Sequence, residues 1–224
     1  MNKLTVLSDT HLNCFIKRQS HSINRFAIWM DGQFSWLCSE QWRVSPLYST
    51  KSNVPILIAY HSEWQLHVTL LQEYDNEEQQ STYTFILKNQ SEQQRELRFI
   101  VHQQLLCKTE PTVHFVTPAN QAILHYHHGG LSLLAAKFHR EEETQLAVGK
   151  REDIFDEETG TLALSPLCQN EQECMISTKL IIESQKESHG QIWEIYGRTE
   201  ESVLALHNKQ LKADQLMQRT NQML

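Results

Sequence analysis

Arg25-Phe26-Ala27-Ile28-Trp29-Met30-Asp31-Gly32-Gln33-Phe34-Ser35-Trp36-Leu37 is the stretch that decides the fold. Two strand-like runs, residues 25–31 and 33–38, flank Asp31-Gly32, a dipeptide that tolerates positive φ at both centres of a type I′ turn. The segment therefore predicts a β-hairpin. Farther along, Trp64, Leu66, Val68 and Leu70 alternate with Gln65, His67 and Thr69. That period of two puts four large apolar groups on one face of a pleat and polar groups on the other. Further strand-like runs cover 55–61, 81–89, 95–106, 121–127, 131–139, 174–183 and 191–198, about ten strands in all. Their connections carry Asn, Glu, Gln and Ser without helical stripes, which argues against βαβ crossovers. The expected class is mainly β, an antiparallel two-layer sandwich.

The pattern changes at Thr199. Thr199 can cap a helix whose first turn holds Glu200 and Glu201, favourably placed at the positive end of the helix dipole. No Gly or Pro interrupts 199–224, and Leu206, Ala213, Met217 and Leu224 recur at helical spacing. We divide the chain into a β-sandwich over 1–198 and one helix over 199–224, and expect those four residues to form a face that meets another protein surface.

Composition narrows the function classes. Among 224 residues, 20 Lys+Arg stand against 27 Asp+Glu, a formal charge of −7. This is opposite to the basic excess that phosphate neutralisation requires, so a nucleic-acid partner is not expected. No apolar run reaches the ~18 residues that span a bilayer, and Ser8, Asp9, Thr10 and His11 interrupt the amino terminus where a signal peptide needs apolar residues. A cytoplasmic protein without membrane contact is expected. The five cysteines, Cys14, Cys38, Cys107, Cys168 and Cys174, match neither a disulfide framework nor a metal pattern.

Motifs that carry chemistry are scarce. There is no GxSxG elbow, no phosphate loop and no GxGxxG. In His125-Tyr126-His127-His128, two imidazoles two residues apart share a strand face and could hold zinc with a third ligand from His114, His139 or Cys107. Histidines in a strand that turns at Gly129-Gly130 are the simpler reading, and we expect no metal and no cofactor. Asp153, Asp156, Glu157 and Glu158 before Gly160 lack the spacing of a calcium loop and read as an acidic turn. Trp29, Trp36, Trp42, Trp64 and Trp193 could stack on sugar rings, although aromatics in alternating strands are more often core.

The hairpin itself resembles "R-x-G-V-W-V-D-G-x-F-x-W" in the N-terminal domain of glucoamylase-like proteins, glycoside hydrolase family fifteen. Three later segments are similar to that family in the same order. They are Arg98-Phe99-Ile100-Val101-His102-Gln103, Pro118 with Ala122-Ile123-Leu124-His125-Tyr126, and Asp156-Glu157-Glu158-Thr159-Gly160 with Leu162, Pro166 and Gln169. The chain departs from the family after Gln169, where Asn170-Glu171-Gln172-Glu173 replaces "Q-G-S-V-D-S", and at His127, where the family has Lys.

The resemblance implies an antiparallel super-sandwich, a linker helix matching 199–224, and a barrel of twelve helices that carries the catalytic acid and base. Twelve helices of about 11 residues cannot be fitted into this chain, so the resemblance implies a non-catalytic domain that supports or packs against a helical catalytic partner, or forms a homodimer. The alternative is a stand-alone module binding α-glucan. Trp29, Trp36, His102, Gln103, His125, Tyr126 and Asp156 are the candidate carbohydrate-binding or domain-interface residues.

Overall fold

The computed structural model describes residues 22–48, 55–106 and 111–221. In chain order its strands are β1 (Ser22–Met30), β2 (Gln33–Trp36), β3 (Trp42–Tyr48), β4 (Pro55–His61), β5 (Leu66–Asp75), β6 (Gln80–Asn89), β7 (Arg95–Leu105) and β8 (Val113–Thr117). They continue with β9 (Ala122–His127), β10 (Gly130–Phe138), β11 (Glu141–Val148), β12 (Phe155–Asp156), β13 (Thr161–Leu162), β14 (Leu167–Gln169), β15 (Glu173–Ile182) and β16 (Glu187–Gly197). Helix α1 (Arg151–Ile154) precedes β12, and helix α2 (Glu200–Asn221) follows β16.

The predicted hairpin forms as read. Met30 pairs with Gln33, while Asp31 (φ 53°) and Gly32 (φ 76°) both occupy the left-handed region that a type I′ turn demands. Every strand pairing is antiparallel. One sheet has the order β11-β15-β7-β1-β2, a second the order β14-β8-β9-β10-β16-β6-β5-β4-β3, and β12-β13 makes a third of two strands.

The period-two pattern sorts side chains between layers. On β1, Phe26, Ile28 and Met30 enter the principal core with Phe85, Phe99 and Phe138. Aromatic rings chain through this core, with centroids 4.9 Å apart for Phe26 and Phe85, 4.7 Å for Phe85 and Phe99, and 5.0 Å for Phe99 and Phe138. Each such burial contributes about 1.5–3 kcal/mol before entropy is charged against it. Leu66, Val68 and Leu70 face inward as predicted. Trp64 does not belong to their strand. It sits in the preceding turn, buried by stacking on His61 at 4.1 Å between ring centroids.

The nine-stranded sheet buries its outer face as well. Leu124, Leu131, Leu133, Trp193 and Ile195 form a second core beneath α2, which contributes Val203 with Leu204, Leu206 and Leu211. Thr199 caps the helix by accepting the Ser202 N–H at 3.3 Å on Oγ1. The Trp193 indole N–H donates to His207 Nδ1 at 3.1 Å, and His207 Nε2–H donates to the Asn120 carbonyl at 3.0 Å.

The face that α2 turns to the sandwich includes Leu206 and adds residues that the helical spacing did not single out. Among the described side chains of α2, Val203 and His207 are the fully buried ones, and Leu206 and Ala213 are half-buried. The period puts 203 and 207 one turn apart, and His207 escaped an apolar-only reading because it is held as a neutral, doubly bonded imidazole. Met217 and Leu224 lie outside the residues whose side chains are described.

Candidate functional site

The outer face of the five-stranded sheet receives the residues of opposite parity from the core. These include Ala27 and Trp29 of β1, Phe34 and Trp36 of β2, Arg98, Ile100 and His102 of β7, and Met175 and Ser177 of β15, in register across the sheet. Residues 150–165, with α1, β12 and β13, fold over this face, and Ile154 and Phe155 pack on Ala27, Ile100 and Met175.

Arg151 sits at the centre of the arrangement. Its guanidinium lies 5.2 Å from the Phe34 ring centroid, 5.6 Å from Trp36 and 5.4 Å from Phe155, within cation–π range of three rings drawn from two segments. It also pairs with Glu157. Its backbone N–H donates to Glu173 Oε2 at 2.9 Å, and the same oxygen lies 3.2 Å from His102 Nε2. Burial holds the His102 imidazole below its ordinary pKa, with Glu173 pulling the other way. In the neutral ring the Nε2–H donates to Glu173, which leaves Nδ1 as a buried acceptor with no hydrogen-bond partner among the described residues. A cleft of about 410 Å³ opens here, lined by His102, Gln104, Lys150, Arg151, Asn170 and Glu173 with their neighbours.

Trp29 and Asp156 fasten the covering segment. The Trp29 indole N–H donates to the Glu157 carbonyl at 2.9 Å. Gly160 (φ 68°) lies so close that a Cβ there would fall 2.6 Å from the Trp29 ring, so both its backbone angle and its space require glycine. Asp156 accepts the Thr159 hydroxyl at 2.8 Å and the Glu158 N–H at 2.8 Å, bonds that hold its carboxyl below the usual range. The acidic stretch is thus a self-bonded turn.

The predicted residues divide among three environments. Trp29, Trp36 and His102 share the outer face of the five-stranded sheet, and Asp156 sits on β12 in the segment that covers it. Gln103 and His125 point between the sheets. Gln103 Nε2–H donates to Glu194 Oε1 at 2.8 Å, and Ser22 Oγ–H donates to the same oxygen at 2.6 Å. His125 Nδ1 stands 2.5 Å from His114 Nδ1, and its Nε2 lies 3.7 Å from Cys174 Sγ. Burial keeps both imidazoles neutral, bringing His114 down to about 4, and pushes the Cys174 thiol up.

Tyr126 lies elsewhere, on the outer face of the nine-stranded sheet. It stacks on Phe115 with centroids 5.6 Å apart and donates to Glu200 of α2 at 2.6 Å, a bond that pushes its hydroxyl up to about 12. Of the proposed third metal ligands, His114 pairs with His125, His139 lies in the turn after β10, and Cys107 lies outside the described residues. Among the described residues no group of three His, Cys, Asp or Glu side chains is placed to hold a metal ion.

Sequence reading missed Arg151, Glu173, Phe34, Phe155 and Glu194. Glu194 carried a signal, a charge on the inward parity of the apolar run Ile192-Trp193-Glu194-Ile195. The Arg151 cluster carried none, because its rings come from β2 and from the covering segment.

No family model matches the chain, and no curated protein sequence matches it. Solved structures do match its fold. A bacterial glucoamylase complexed with acarbose superposes with a TM-score of 0.63 at 9% identity, over 84% of this chain and 28% of that one. A putative kojibiose phosphorylase from the human microbiome superposes with a TM-score of 0.53 at 10% identity, over 84% of this chain and 24% of that one. The chain therefore has the sandwich fold found in glycosidase-like proteins and spans less than a third of either neighbour's length.

Proposed function

We propose that this chain is the non-catalytic sandwich of a glucoamylase-like glycoside hydrolase of family fifteen, whose task is to support a helical catalytic partner. The observation that carries the reading is the fold match itself, which covers 84% of this chain but 28% of the glucoamylase. The four ordered sequence resemblances support the same family. In that family the acid and base lie on loops of a helical barrel, and the described residues here hold two α-helices, one of them a single turn.

The side that α2 covers is the natural docking side. Tyr126, Glu200 and the helix together present a composite surface over the nine-stranded sheet, and α2 is already clamped there by Val203 and His207. The test is sedimentation of this chain with helical barrels of family-fifteen glucoamylases expressed without their own sandwiches. A one-to-one complex that is lost on Tyr126→Ala with Glu200→Ala supports the proposal. Failure to bind any of them overturns it.

A further inference from the structure

Among the described residues α2 roofs only part of the outer face of the nine-stranded sheet, and we infer that the strip beside it, over β8 and β9, is a groove that receives an amphipathic helix of the catalytic partner. The inference rests on the scaffolding role proposed above and names the element that docks.

One apolar row crosses the sheet in register. It runs through Leu167 on β14, Phe115 on β8, Leu124 on β9, Leu133 on β10 and Ile195 on β16. Because α2 packs on β10 and β16, Leu124, Leu133 and Ile195 are buried, whereas Phe115 is half-buried and Leu167 is 60% exposed. The apolar surface that seats α2 thus continues out from under it. Tyr126, stacked on Phe115, completes the floor of the strip.

The helix supplies a wall. Glu200 accepts the Tyr126 hydroxyl, which fixes the side of α2 that looks toward β9. Leu204, one turn on, and Leu211, three turns on, lie along that same side. Both are half-buried and pack at the margin of the second core, as Phe115 and Tyr126 do.

Spacing selects a helix as the occupant. Strands about 4.8 Å apart put the midline between β8 and β9 about 9.6 Å from the midline between β10 and β16, where α2 lies. Packed helices keep about 8–10 Å between their axes, so a second helix resting on this strip also touches the α2 wall. The five residues of β8 give a floor about 17 Å long, about three helical turns. The side laid on Phe115 and Leu167 has to be apolar, since a polar group buried there would find no partner. The α2 of a second copy does not meet that condition, because the side it turns away from its own sheet carries the exposed Glu201, Asn208 and Lys212.

The test repeats the sedimentation of the full chain with the helical barrels described above. Leu167→Asp should weaken the complex about tenfold or more, and Leu167→Met should keep it within about twofold of the native affinity. Circular dichroism should be unchanged in both, because Leu167 is mostly exposed. Lys88→Glu, on the exposed side of β6 beyond α2, should leave binding as it is. Native affinity in Leu167→Asp, or an equal loss in Lys88→Glu, would overturn the groove while leaving the scaffolding role standing. Self-association of the chain alone that Leu167→Asp abolishes would overturn it in favour of a second copy. Failure of every barrel to bind the native chain would overturn the scaffolding role, and the groove's occupant with it.

Discussion

Lowering the pH should loosen this sandwich through its buried histidines, and His114 sets the scale. It is fully buried against His125, and burial brings its pKa from 6.5 down to about 4. In the unfolded chain the ring titrates near its ordinary value. Above pH 6.5 both states are neutral and the packing contributes in full. As pH falls from 6.5 toward 4, the unfolded chain takes up a proton that the folded chain refuses, so stability drops until His114 itself protonates. The window of about 2.5 pH units is worth about 3 kcal/mol, a large part of the 5–15 kcal/mol typical of a domain. His125 and His207 are shifted in the same direction by burial and steepen the fall. The assay is urea unfolding followed by tryptophan fluorescence at intervals from pH 7 to 4.5. His114→Gln should flatten the slope relative to the native sequence. A native stability that is level or rising as pH falls below 6.5 would refute the reasoning.

Three further outcomes are expected. Gly32→Val should cost about 1 kcal/mol or more through its positive φ alone, since open space surrounds the site; equal urea midpoints would place the strain elsewhere. His207→Ala should destabilise the protein by about 2 kcal/mol, because Trp193 and Asn120 both lose a buried partner, and His207→Gln should recover part of that loss in thermal melts. Deleting residues 212–224 should leave the sandwich folded by circular dichroism, because among the described residues the last helix side chain in the second core is Leu211; unfolding of the whole domain would make the distal helix a core element.

Local chemistry was legible in the sequence where a few adjacent residues decide the outcome. Asp31-Gly32 fixed a turn, Leu66, Val68 and Leu70 fixed a face, and Thr199 fixed a helix start. Strand β3 was hidden by Pro46, which the fold tolerates because β3 is the edge of its sheet. Strand β11 was hidden by Glu141, Glu142 and Glu143, whose side chains stay at the rim while Ala147 and Val148 are buried.

For the site, parity already separated His102 from Gln103. Parity alone does not tell which layer lies beyond each face, and so Tyr126, Gln103 and Trp36 could not be assigned to three different surroundings. The Arg151 cluster is fixed by tertiary packing between segments more than a hundred residues apart, and no local pattern records it.

Catalytic silence is the central claim, and glucose release measures it most directly. Purified chain is incubated with maltose, maltooligosaccharides, starch, trehalose and dextran, and glucose is followed by a coupled assay. The account predicts release no greater than the blank for every substrate, since the acid and base of the family it resembles belong to a helical barrel. Glucose release that survives repurification through independent columns would contradict it.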